Sequence, residues 1–142
     1  MGDGADGDTQ AIVDLIRSYG RALDRGRYEQ LRTIFTADAT AHLGGAGQVG
    51  VDQIVERISS ALSVFERCEH HLGDPRIDLT GDEATARCPV RALHMRPAGK
   101  TPPVYPVIGT YDDRLVRTDA GWRSARRDLI IERREGTAPQ GA

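Results

Sequence analysis

Apolar residues recur every third or fourth position at Ile12, Leu15, Ile16, Tyr19 and Leu23, and again at Val51, Ile54, Val55, Ile58, Leu62 and Phe65. That spacing keeps each set on one side of a helix. Thr9 is placed to cap the first helix and Gly26 to end it. A second, short helix is expected from about Tyr28 to Phe35, burying Leu31, Ile34 and Phe35, followed by a short strand from Ala39 to Leu43. From Cys68 onward the period falls to two, with strands predicted at roughly 68 to 73, 75 to 80, 83 to 97, 104 to 117 and 122 to 133. Thr80-Gly81-Asp82 and Thr118-Asp119-Ala120-Gly121 read as hairpin turns, and Pro97 to Pro103 as a looser connection. Helices first and a meander after them predict an α+β fold, with the N-terminal helices packed on one face of a curved, mostly antiparallel sheet.

The run ending at His94 carries the sharpest chemical signal. Strand alternation puts Ala84, Ala86, Cys88, Val90, Ala92 and His94 on one face and Thr85, Arg87, Pro89, Arg91, Leu93 and Met95 on the other. A row of small apolar residues closed by a histidine suits a strand that lines a cavity; the blander alternative is a row packed under a helix with a histidine at the strand end. His70 and His71 are adjacent on a strand and therefore point to opposite faces, so only one of them can join such a site. Leu93 and Met95 on the outward row make a homodimer through the outer sheet face the expectation, which a concentration-independent monomer in sedimentation would remove.

Composition narrows the function classes. The chain has 142 residues, enough for one domain, read as 9 to 134 between tails at 1 to 8 and 135 to 142. Nineteen Lys and Arg against 21 Asp and Glu give a net charge of -2, which argues against nucleic-acid and anionic-membrane partners; the Arg126-Arg127 and Arg133-Arg134 pairs read as solvated or acid-paired. Cys68 and Cys88 are too few for a disulfide scaffold. The Gly/Asp-rich start lacks the regions of a secretory signal and no apolar run approaches spanning length, so a cytoplasmic protein is expected.

Gly45-Ala46-Gly47-Gln48-Val49-Gly50 is a literal G-x-G-x-x-G after a candidate strand and before a helix. A dinucleotide fold needs an apolar parallel strand and further βαβ units, which the meander does not offer, so a loop near a pocket mouth is the preferred reading. His42, His70, His71 and Asp74 show no spacing that would place them around one metal ion, and no G-x-S-x-G elbow marks a serine nucleophile. Acid-base chemistry without a cofactor remains. Tyr19 carries a hydroxyl inward on the first helix, and Asp24 sits in its last turn, where the macrodipole disfavours a carboxylate. About 140° separates the two on a regular helix, so they converge only if the helix ends or bends near Asp24. A carboxylate orienting an imidazole, with a phenol to donate to a carbonyl oxygen, suffices for proton abstraction α to a carbonyl, dehydration or isomerisation.

Tyr19 with Ala22-Leu23-Asp24, Leu31 to Phe35 with Asp38-Ala39, Gly50, His70-His71-Leu72-Gly73, Gly81-Asp82-Glu83-Ala84, Gly109 to Leu115 and Gly121-Trp122-Arg123 together resemble the SnoaL-like group of the nuclear transport factor two-like superfamily. The resemblance covers about residue 9 to 130 and implies a cone-shaped α+β fold enclosing a pocket, in a group that includes scytalone dehydratase, bile acid 7α-dehydratase, ketosteroid isomerase, limonene epoxide hydrolase and polyketide cyclases. It implies that Tyr19 and Asp24 match the Tyr and Asp pair of the bile acid enzyme, and that Asp24, His70 and His94 match the aspartate and two histidines of scytalone dehydratase. The chain departs from the pattern at Leu23, where scytalone dehydratase has a tyrosine, and at Ala92 and Ile131, where the bile acid enzyme has an aspartate and an arginine.

The expectation is therefore a cofactor-independent dehydratase or isomerase for a hydrophobic, cyclic, oxygenated small molecule resembling a polyketide or steroid. Asp24 would orient His70, His70 would remove the proton, Tyr19 would donate to the enolate and His94 would assist the departing hydroxyl. Substrate contacts are expected from His71, Tyr111, Asp113, Val90 and Phe35. The alternatives are a noncatalytic binding or assembly module, a polyketide cyclase, and epoxide opening with Asp24 as the base for water.

Overall fold

The computed structural model describes residues 2–134. Helix α1 (Gly2–Asp24) is followed by a short 3-10 helix (Tyr28–Thr33), strand β1 (Phe35–His42), the short β2 (Gly47–Val49) and helix α2 (Val51–Leu62). Five strands complete the chain: β3 (Arg67–Leu72), β4 (Arg76–Thr80), β5 (Glu83–Met95), β6 (Val104–Thr118) and β7 (Gly121–Arg134). They form one curved, unclosed sheet of seven strands in the order β2-β1-β7-β6-β5-β3, with β4 also paired to β5. All pairings are antiparallel except β1 with β7, and the helices pack against one face. This is the expected α+β architecture.

The core lies between that face and the helices. Helix α1 contributes Ile12, Ile16, Tyr19 and Leu23, and α2 contributes Ile54, Val55 and Ile58, all buried. Each such side chain stabilises the fold by about 1.5–3 kcal/mol. On β5 burial alternates strictly from Ala84 to Ala92, and His94 continues the buried row.

Three local readings are corrected. Helix α1 starts at Gly2, not at Thr9, so the stretch expected as a tail at 1 to 8 is helical from Gly2 on. Its anchor is Asp8, whose carboxylate accepts from two Arg117 nitrogens (2.9 and 2.6 Å) and from the Trp122 indole N–H (3.1 Å). Phe35 opens β1 and does not close the second helix, because Ser124 N–H on β7 donates to the Ile34 carbonyl and draws the chain into the sheet. The glycine-rich loop contains β2, which folds back antiparallel on β1 with Ala41 opposite Gln48. That makes a hairpin in place of the strand-to-helix turn a dinucleotide site needs. The expected tail at 135 to 142 lies outside the described residues.

Gly109 sets a detail that matters at the pocket. Ile108 faces Arg133 while Gly109 faces Ile131, so Glu132 is the extra residue of a bulge in β7. A Cβ on Gly109 would clash with the Ile130 carbonyl oxygen, a backbone atom that cannot yield without breaking the ladder. Gly109→Ala should destabilise the protein by about 2–3 kcal/mol, lowering its thermal midpoint by roughly 4–12 °C in a melt followed by circular dichroism.

Candidate active site

Asp24 owes its position to the way α1 ends. Gly26, at φ +65°, lets Arg27 N–H reach the Ala22 carbonyl (2.8 Å) and Gly26 N–H reach the Leu23 carbonyl (3.1 Å), a Schellman closure. The helix therefore stops with Asp24 as its last residue, so the angle of about 140° from Tyr19 stands, and Asp24 joins the site through His70 and not beside Tyr19. Its carboxylate, at the disfavoured end of the dipole, accepts from the His70 backbone N–H (3.1 Å) and from the His70 ring at Nδ1 (2.7 Å).

Strand pairing places the two imidazoles. On β3, Cys68 faces His94 and His70 faces Ala92, so both rings lie on the inner face at diagonal positions, 6.2 Å apart and nearly perpendicular. The His70 side chain is 4 % exposed. With Nδ1–H given to Asp24, the Nε2 lone pair is left for the cavity that the ring lines. His94 donates Nδ1–H to the Tyr105 carbonyl (2.8 Å) between the rings of Phe65 and Tyr105. Burial holds its pKa below the ordinary value, with His70 adding to the effect and the carbonyl bond opposing it. Neutral His94 thus also turns an accepting Nε2 away from its anchored nitrogen.

Because the folded pKa of His94 lies below the unfolded value of 6.5, the unfolded chain binds more protons in the window between them. Stability is full above that window and declines as pH falls through it. Thermal midpoints measured from pH 7 to 5 should therefore fall less for His94→Asn than for the parent.

A cavity of about 130 Å³ lies between the helices and the sheet. Its polar lining comes from His70, His94, Tyr19, Tyr105 and Tyr111, with Arg57 and Arg134 as the charged members. Leu23, Ile58, Leu62, Val90, Leu129 and Ile131 supply apolar wall. Behind the phenols lies Arg127, whose guanidinium sits 4.1 Å from the Tyr19 ring centre and 4.2 Å from that of Tyr111. It donates to both oxygens of Asp113 (2.7 and 2.6 Å), and both side chains of this pair are 1 % exposed. Burial opposes the Arg127 charge, but Asp113 outweighs it and the net shift is upward. Burial also raises the pKa of Tyr19, against the pull of Arg127, and raises that of Tyr111 well above the ordinary range. Both phenols stay protonated near neutrality and are hydrogen-bonded to each other, so one hydroxyl proton is used between them and the other is left to donate to a ligand. Burial, with Asp24 adding, pushes the Cys68 thiol up to about 11, and burial raises Cys88 too, so neither offers a thiolate nucleophile.

Residues 7–128 match the SnoaL-like domain family. The chain belongs to the SnoaL-like family. It is 33% identical over 124 residues to the uncharacterized protein Rv2910c of Mycobacterium tuberculosis (strain ATCC 25618 / H37Rv), which covers 84% of this chain and 82% of that one. Among solved structures it is similar to a Novosphingobium aromaticivorans protein provisionally named a scytalone dehydratase (26% identity, 100% and 95% of the two chains, TM-score 0.88). It shares its fold with a nuclear transport factor 2-like superfamily protein of Salmonella enterica (17% identity, 96% of each chain, TM-score 0.80). The SnoaL-like and nuclear transport factor 2-like proteins include dehydratases and isomerases.

Within this SnoaL-like pocket, the expected residues divide into those that line it and those that support the lining. Tyr19, His70, His94, Val90 and Tyr111 line the cavity. Asp24 acts on it through His70. Three of the expected substrate contacts do not reach it. His71 turns outward, 59 % exposed, and its Nε2 lies 3.2 Å from Glu69, because alternation on β3 commits the inner face to His70. Phe35 packs edge-on against Tyr19 with ring centres 6.0 Å apart, and Asp113 is spent on Arg127. His42 lies beside Asp128 across the β1 and β7 pair, away from His70. Among the described residues no three His, Cys, Asp or Glu side chains are grouped to hold a metal, and no helix is long and apolar enough to cross a membrane.

Arg127 is what sequence reasoning missed. Arg126-Arg127 reads as solvated or acid-paired, and both are acid-paired, Arg126 with Asp128 and Arg127 with Asp113; what that reading lacked is the burial of Arg127, which shares its strand face with Leu129 and Ile131. Counting back by two from those apolar positions was the available signal.

Proposed function

We propose that this protein is a cofactor-independent dehydratase or isomerase that removes a proton α to a carbonyl of a small, largely apolar cyclic substrate. The observation that carries the reading is the desolvated His70 imidazole, fixed by Asp24 at Nδ1 and presenting Nε2 to a cavity where two phenols remain protonated. In the dehydration, His70 Nε2 takes the α-proton, and the electron pair moves onto the carbonyl oxygen, where Tyr19 or Tyr111 donates a hydrogen bond to the enolate. The enolate collapses to a conjugated double bond as the β-hydroxyl leaves, taking the proton held on His70 and departing as water. Asp24 stabilises the intervening imidazolium.

His94 has a different part from the one expected of it. Its Nδ1 proton is committed to Tyr105 and burial favours the neutral ring, so Nε2 accepts from a substrate hydroxyl and orients it, in place of donating to it. Leu23, Ala92 and Ile131 stand in the cavity wall, at the positions where the resemblance to scytalone and bile acid dehydratases implies a tyrosine, an aspartate and an arginine, so the substrate is less polar there. A volume of about 130 Å³ suits one ring better than a fused steroid frame, since ligand pockets for drug-sized molecules run to about 300–1,000 Å³.

Organic extraction of the purified protein, followed by mass spectrometry and incubation of the recovered ligand with fresh protein in D2O, tests this. Loss of 18 mass units, or deuterium at the carbon α to the carbonyl, is expected. A gain of 18 would mean epoxide opening, and an unchanged, undeuterated ligand would mean binding only; either would overturn the reading.

A further inference from the structure

We infer that the natural substrate carries an anionic group, a carboxylate or a phosphate monoester, held at the cavity mouth between Arg57 and Arg134 while its ring lies inside. The inference rests on the pocket described above and extends it to substrate class. Both arginines line the cavity, one from α2 and one from the end of β7. Arg134 faces inward because of the bulge at Glu132: without that extra residue, alternation from Leu129 and Ile131 would turn Arg133 toward the cavity and Arg134 away. The two guanidiniums come to adjacent loop residues. A Cβ built on Gly45 would meet Arg57 Nη2 at 3.5 Å, and one built on Gly44, at φ +88°, would meet Arg134 Nη2 at 3.6 Å.

Among the described residues neither guanidinium has a carboxylate partner. Glu56, next to Arg57, accepts from Ser60, and Glu132, near Arg134, accepts from Thr110. Two cations drawn to one loop without an acid between them repel, and a bound anion reverses the sign of that interaction. The guanidinium fork matches carboxylate and phosphate equally. The charge is local, since the whole chain is net negative at -2. Gly44 and Gly45, at the start of the glycine-rich stretch, thus leave a side-chain-free edge beside the two arginines.

The full-length protein would be titrated with 3-phenylpropanoate, 3-phenylpropyl phosphate and the neutral 3-phenylpropanamide, with binding measured by calorimetry and occupancy of the cavity by the ring resonances of His70 and His94. At low salt at least one anion should bind on the order of tenfold more tightly than the amide, and the better of the two identifies the group. Arg57→Gln and Arg134→Gln should each reduce the preference, as should raised ionic strength, with amide affinity held. If all three bind equally and shift the histidine resonances, or if the preference survives in both variants, the anion site is wrong while the pocket stands. If none shifts those resonances, the pocket itself is misread and the inference falls with it.

Discussion

Asp24→Asn and His70→Gln should each slow turnover of the extracted substrate by about 10²- to 10⁴-fold, the range a positioned proton-transfer group contributes. In the His70 variant the base itself is lost. Asp24 acts through His70, and its replacement works through the tautomer. The carboxylate can only accept, so it fixes the proton on Nδ1; an amide NH2 in its place donates to Nδ1 and drives the ring proton to Nε2, which then has no lone pair for the substrate. Two readouts separate this from damage to the fold. The thermal midpoint should stay close to that of the parent, because the Asp24 side chain is 32 % exposed and its pairing is screened by solvent. The Nδ1 proton resonance of His70, present in the parent, should vanish in Asp24→Asn. A variant that keeps the parental rate of α-deuteration would remove His70 and Asp24 from the mechanism.

Arg127→Met should destabilise the protein by about 3–5 kcal/mol, because it leaves the Asp113 carboxylate uncompensated in a site that is 1 % exposed. At roughly 2–4 °C per kcal/mol for a domain of this size, the thermal midpoint should drop by about 6–20 °C. The loss has a second source. Arg127 is held between the faces of Tyr19 and Tyr111, so removing it also takes away two cation-π contacts and the packing that sets both rings. Replacing both partners, as in Arg127→Met with Asp113→Leu, should recover much of the deficit, since no charge then remains buried alone. A single variant as stable as the parent would show that the pair does not support this side of the pocket. Among the described residues the Arg127 Nη1 atom finds no hydrogen-bond partner, an added desolvation cost that the methionine side chain would relieve in part.

Much of the fold could be read from the chain because its signals are local. The cavity-lining row from Ala84 to His94 follows from a period of two within one uninterrupted strand, and the end of α1 at Asp24 follows from a glycine free to take a positive φ at position 26. Alternation alone did not choose between His70 and His71, since it says that they differ and not which one faces in, and only the family resemblance favoured His70. The packing of α1 on β3, with Asp24 bonded to both the backbone and the ring of His70, decided it.

By itself the sequence determined the order of helices and strands, which residues share a face within each regular stretch, and the family. Tertiary structure decided what happens where regularity is interrupted: the parallel union of β1 with β7, the burial of Arg127 between two phenols, and the turn of Arg134 toward the cavity past the bulge at Glu132. The physical reason is that one extra residue in a strand reverses the facing of every side chain beyond it, and where that residue goes is settled by the neighbouring strand and not by the chain's own pattern.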